Sequence, residues 1–148
     1  MTARPEAGLL DTSVVLLTGR LDPALLPARP MISTITLAEL AAGPQTARTD
    51  AERSVRLAQV QQAEADFDAL PFDAPAARAF GLVAADLRRT GRRASARAYD
   101  ALIAAVALSN ALPLYTCNPG DFAGIGGLAV VAVPHPDSDA RVPYTPAR

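Results

Sequence analysis

The sequence predicts a layered α/β domain built on a mainly parallel sheet, and three observations carry that reading. Short apolar runs alternate with segments of helical periodicity along the chain. Those runs are too brief for helices and are bounded by Gly, Pro, Asp or Asn. At 148 residues, 50% of them hydrophobic, the chain has the size and apolar content for one substantial core.

The elements follow in order. "GLLDT", from Gly8, reads as a short buried strand, and "SVVLLTG" as a helix or turn closed by Gly19. "LDPALLPARP" interrupts the pattern with proline, and "MISTI" is the second strand. It leads into "TLAELAAG", where Thr36 and Glu39 have the spacing of a capping box and Gly43 makes a natural stop. A helix is therefore expected to begin near Thr36. Thr49 and Glu52 repeat the box ahead of a polar, proline-free stretch reaching about Phe67, which suits a long, partly exposed helix. "DALPFD" is a short strand. Phe80, Val83, Ala84 and Leu87 recur at helical spacing and predict an amphipathic helix over 74–90 with its arginines outward. "RRTGRRASAR" reads as a loop, and "DALIAAVALSNA", apolar nearly all round, as a buried central helix beginning at Asp100. "LPLYT" is a strand ended by "CNPGD", and "GLAVVAV" is the last strand. Composition marks a frayed head at 1–7 and a proline-rich tail at about 136–148, leaving one organised domain over 8–133.

What the chain lacks narrows its chemistry. It has no lysine, so a phosphate loop ending in Gly-Lys-Ser/Thr and Schiff-base catalysis are both excluded. His135, the single histidine, stands in the proline-rich tail, a poor place for a general base. Cys117, the single cysteine, allows neither an internal disulfide nor a zinc site of paired cysteines. No apolar run approaches the roughly 20 residues that cross a bilayer, and "MTARPEAG" lacks a signal peptide's order, so a cytoplasmic location is expected. Any catalysis must fall to carboxylates and what they bind.

Asp11, Glu39, Asp100 and Asp121 each follow a strand or stand near the start of a helix. Each also suits a plain capping role, because carboxylates are favoured at helix N-termini. A parallel sheet, however, gathers strand ends at one edge, where ligands bind. Several carboxylates there repel one another unless a cation lies between them, and an all-oxygen site suits magnesium or manganese. Such a cation activates water and stabilises charge developing on a phosphate.

"LLDTSVV", "ITLAELAAG", "YDALIAAVAL" and "LYTCNPGDF" resemble, in that order, the motifs of the PIN-domain family, and most closely its VapC-type ribonuclease toxins. The resemblance covers about 8–133. It implies a three-layer α/β/α sandwich of about five strands and a magnesium- or manganese-dependent endoribonuclease. It further implies homodimerisation, larger assemblies with antitoxin, and inhibition by a VapB-like antitoxin seated in a groove between helices at about 36–42 and 49–66. Carried over by position, Asp11 and Asp100 are the principal metal ligands and Glu39 the third acidic residue. Asn118 stands where many relatives have Asp, so the fourth acidic position falls to Asp121, with Asn118 lining the site. Thr12, Ser13 and Thr116 are the hydroxyls expected to orient the carboxylates, or are simply turn and cap residues. Cys117 replaces a residue that is frequently basic in the family.

With a formal net charge of -1, RNA binding requires local positive charge, which Arg88, Arg89, Arg92, Arg93 and Arg97 provide just ahead of Asp100. The same arginines could form a solvated face or dock an acidic antitoxin segment. The chief alternative to a nuclease is a catalytically weakened PIN-like module that binds RNA or protein. An aspartyl-phosphate phosphatase or a receiver domain fails for want of its lysine.

Overall fold

A computed structural model describes residues 5–92 and 98–139. Its strands are β1 (Ala7–Leu10), β2 (Arg29–Ser33), β3 (Asp68–Leu70), β4 (Leu114–Thr116) and β5 (Val130–Ala132). They form a five-stranded sheet of order β3-β2-β1-β4-β5 with every pairing parallel. The helices are α1 (Thr12–Val15), α2 (Thr34–Ala42), α3 (Asp50–Asp66), α4 (Ala74–Arg89), α5 (Ala98–Ser109) and α6 (Pro136–Asp139).

The alternation of side chains along each strand sorts the core into two layers. Leu9, Met31, Leu70, Leu114 and Val130 pack with Val83 and Leu87 of α4 and Ile103 and Val106 of α5. Their strand neighbours Leu10, Ile32, Ala69, Tyr115 and Val131 pack on the opposite side with Val14, Leu40 and Ala63. The result is the expected α/β/α sandwich. Helix α5 lies deep in the first layer, with Ala101 and every residue from Ile103 to Ala107 buried, which is why its sequence has no polar face. Each large aliphatic side chain removed from water contributes about 1.5–3 kcal/mol, so Leu9, Leu10, Ile32, Ile103 and Leu114, all at 0% exposure, anchor both layers. Gly8 serves the central strand through its missing side chain: a Cβ there would lie 2.5 Å from the Tyr115 ring.

Element bounds depart from the sequence reading at α2. The helix starts at Thr34, two residues ahead of Thr36, and its cap is Ser33, whose Oγ accepts the Thr36 N–H at 3.2 Å. Thr36 is fully buried within the helix and turns its hydroxyl toward Thr12, so it cannot cap. Glu39 accordingly lies mid-helix and closes no capping box. The helix does stop at Gly43, its C-cap, but without a left-handed residue: at φ -54° Gly43 stays helical, and the chain continues into a 3-10 turn over Gly43–Thr46 with Pro44 in its first turn. At the second box Thr49 does cap α3, its Oγ1 accepting the Glu52 N–H at 3.1 Å, while the Glu52 carboxylate reaches back one residue further and accepts the Arg48 N–H at 3.1 Å. Helix α4 follows its amphipathic pattern, with Val83 and Leu87 buried and Arg78, Arg88 and Arg89 exposed. Among the described residues, no helix is long and apolar enough to cross a membrane.

Candidate active site

The chain leaves β1, visits β2 and β3 on one side, and only then returns to β4 on the other, so the sheet's order reverses between β1 and β4. A crevice at the carboxyl ends of such strands is where open parallel sheets bind ligands. Asp11 directly follows β1 and Thr116 ends β4, and the two side chains meet across that junction.

Asp11 is 5% exposed and its carboxylate has three neutral donors. Oδ1 accepts the Thr12 N–H at 2.8 Å, while Oδ2 accepts the Ser13 hydroxyl at 3.0 Å and the Thr116 hydroxyl at 2.8 Å. The supporting hydroxyls are themselves held by the fourth motif's backbone. Cys117 N–H donates to Ser13 Oγ at 3.3 Å and Asn118 N–H to Thr116 Oγ1 at 3.0 Å. Asp11 does cap α1, as its simplest reading requires. Its burial among hydroxyls drawn from two strand ends exceeds what a four-residue helix needs.

Glu39 joins this network through Thr12. Thr12 Oγ1 donates to Glu39 Oε1 at 2.8 Å and, having given its one proton there, accepts from Thr36 Oγ1 at 3.0 Å. Burial pushes the Glu39 carboxyl above its ordinary value and the negative charge of Asp11 pushes it further, against the Thr12 hydroxyl, which favours ionisation. The Cys117 thiol is likewise raised, first by burial and then by Asp11, against the Ser13 hydrogen bond. It therefore stays protonated and gives the site no charge.

Because the folded Glu39 carboxyl titrates above its unfolded value, the stability it contributes is full below the ordinary glutamate range and is lost as pH rises through the folded pKa. Metal-free protein is expected to melt at a lower temperature once pH passes that window, and Glu39→Gln to flatten the profile. Thermal unfolding in chelator across pH 4–8 checks this, and identical profiles would remove the assigned burden from Glu39.

Asp100, in the first turn of α5, and Asp121, in the 3-10 turn Pro119–Phe122, are half-buried and each is engaged in an interaction of its own. Asn118 is exposed and precedes that turn. Among the described residues no three His, Cys, Asp or Glu side chains converge as a ready-made metal cluster. The assembled part is the Asp11–Glu39 pair with its hydroxyls. Its donor chemistry, oxygen only, with one carboxylate raising the pKa of another, fits a hard divalent cation.

Of the expected RNA-binding arginines, Arg88 and Arg89 are exposed at the end of α4, Arg89 being paired with Asp86. Arg92 turns inward, its Nη1 buried without a hydrogen-bond partner among the described residues. Arg93 and Arg97 lie outside the described residues. Sequence reading missed Thr36, whose buried hydroxyl gave the same signal as a cap, and Asp86, a 9% exposed carboxylate on the apolar face of α4. Beside Glu39 a cleft of about 310 Å³ runs between α1, α2 and α3, lined by Thr12, Leu16, Leu40, Arg56 and Gln59.

Comparison with known proteins places these features in context. The PIN domain family model matches residues 9–128. The chain is 44% identical over 136 residues to Ribonuclease VapC5 of Mycobacterium tuberculosis, covering 90% of this chain and 98% of that protein. It is 33% identical over 127 residues to the tRNA(fMet)-specific endonuclease VapC of Shigella flexneri, covering 81% and 92% respectively. Among solved structures, the VapBC-5 toxin–antitoxin member from Mycobacterium tuberculosis matches with a TM-score of 0.75 at 40% identity, over 87% of this chain and all of that one.

Proposed function

The chain belongs to the PIN domain family, and from that premise we propose that it is an endoribonuclease, the toxin of a VapBC-type toxin–antitoxin pair. The observation that carries this reading is the buried Asp11 carboxylate at the reversal point of the sheet, tied to β4 through Thr116 and to Glu39 through Thr12. Asp11, Glu39, Asp100 and Asp121 hold one or more divalent cations, magnesium or manganese. When bound, the cation lowers the pKa of water to yield a nucleophile and offsets charge on the phosphate.

The chain's own groups do the positioning. Ser13 and Thr116 saturate Asp11 Oδ2 and leave the carboxylate little rotational freedom, and Thr12 fixes one Glu39 oxygen. Such supporting hydrogen bonds orient metal-binding carboxylates. Asn118 lines the far side. Arg88 and Arg89, with Arg93 and Arg97, meet the RNA backbone, whose phosphates supply most sequence-independent affinity, whereas the inward-turned Arg92 is left out of that surface. The whole chain acts as one domain, pairs with a second copy and works in the cytoplasm. A VapB-like antitoxin occupies the cleft beside Glu39 and blocks access to the carboxylates, giving toxin and antitoxin a common site of control.

Incubating purified protein with total RNA and magnesium, then sequencing the new RNA ends, tests the activity. Discrete cleavage sites that vanish with chelator and in the Asp11→Asn, Asp100→Asn double variant are expected. Undiminished cleavage by that variant would overturn the metal-centred reading.

A further inference from the structure

The Asp86 carboxylate takes no part in the proposed chemistry, yet it is 9% exposed near the C-terminal end of α4, where the helix dipole already disfavours negative charge. A buried carboxylate costs stability unless its oxygens are satisfied, and here both are. Oδ1 pairs with Arg89, and Oδ2 accepts the Gly126 N–H at 2.8 Å, a partner 40 residues away.

The contact belongs to a larger clamp. A Cβ at Gly126 would come within 3.3 Å of Asp86 Oδ2, and one at Gly124 within 2.6 Å of Thr90 Cγ2. Gly124 also has φ +85°, a left-handed backbone that favours glycine. Between them Ile125 is buried in the layer shared with Leu87. The last turn of α4 thus grips residues 124–126, and the segment it grips directly follows the turn that carries Asp121. The other end of that turn is tied to Asp11 through Asn118 N–H and Thr116. Asp121 therefore lies between two anchors, one at the metal-binding pair and one at Asp86.

We propose that Asp86 is a positioning residue, which through Gly126 and the close Thr90–Gly124 packing sets where Asp121 stands relative to Asp11. Apolar burial of Phe122 and Ile125 fixes how deep the segment sits. The directed hydrogen bond to Asp86 fixes its rotation. The inference rests on the assignment of Asp121 as a metal-binding carboxylate.

Calorimetric titration of the full chain with manganese alone tests it. Asp86→Ala is expected to weaken manganese binding roughly 10-fold, within the range for loss of a supporting hydrogen bond. Asp86→Asn, which retains an acceptor for Gly126 N–H, is expected to restore most of it. The Asp86→Ala, Asp121→Asn double variant should bind no more weakly than Asp121→Asn alone, since the two act through one carboxylate. A folded Asp86→Ala with wild-type affinity, or additive losses in the double variant, would overturn the proposal. Unchanged binding in Asp121→Asn would instead overturn the assignment beneath it. Should Asp86→Ala fail to fold, Gly124→Ala strains the same segment from an exposed position. It is expected to weaken manganese binding similarly, and wild-type affinity there would count against the clamp.

Discussion

Asp11→Asn is expected to lower RNA cleavage roughly 100- to 1,000-fold, the cost typical of losing one group that stabilises transition-state charge, while the protein stays folded. The substitution is nearly isosteric. An Asn Oδ1 can still accept the Thr12 N–H now held at 2.8 Å, and the Ser13 and Thr116 hydroxyls can rotate to accept from the amide nitrogen. What disappears is the negative charge, and with it the smaller of the two causes that raise the Glu39 carboxyl, burial being the larger. Three readouts should therefore move apart: cleavage collapses, the melting temperature of metal-free protein holds or rises, and the Glu39 carboxyl titrates closer to its ordinary value. Single-turnover cleavage, thermal melts and carboxyl-resolved NMR titration measure them. Cleavage within threefold of wild type would return Asp11 to the role of a helix cap.

The contrast between cap and ligand shows how much of this site could be read from the chain. The strands were legible because each carries a short apolar run beside turn residues, although β2 begins at Arg29 and Pro30, ahead of the expected Met31, and ends at Ser33, with Thr34 and Ile35 passing into α2. Helix α5 was legible for the same reason in three dimensions: a helix with no polar face has only the core to occupy. Asp11 could be found because it interrupts buried sequence. Thr36 and Glu39 misled because a spacing of three residues describes a capping box and equally two neighbours on one helical face. The Ser33 cap and the hydroxyl of Thr12, 27 residues before Glu39, separate the two readings. Asp86 gave no signal at all, since a carboxylate near a run of arginines reads as a surface ion pair until its second oxygen meets Gly126. Contacts between distant backbone and side-chain groups leave no periodicity behind.

Phe122→Ala is expected to cost about 3–5 kcal/mol of folding stability, the range for truncating a buried aromatic side chain. Phe122 is 1% exposed and belongs to the first apolar layer, where it packs with Ile103, Val106 and their neighbours. Against a typical domain stability of about 5–15 kcal/mol, that loss brings a large unfolded fraction within reach of mild denaturant. The urea midpoint should fall with an unchanged slope, since the folded state buries the same surface elsewhere. The residue also has a local consequence, because it is the last of the 3-10 turn that carries Asp121. Removing its ring frees that turn from the core, so the folded fraction of Phe122→Ala should bind manganese more weakly than wild type. Asp11→Asn removes charge and spares the fold, whereas Phe122→Ala spares every charge and loosens the support. If Phe122→Ala instead kept wild-type manganese affinity in its folded fraction, the turn would be held by its hydrogen bonds alone. The Thr116 and Asp86 anchors would then suffice without the apolar peg.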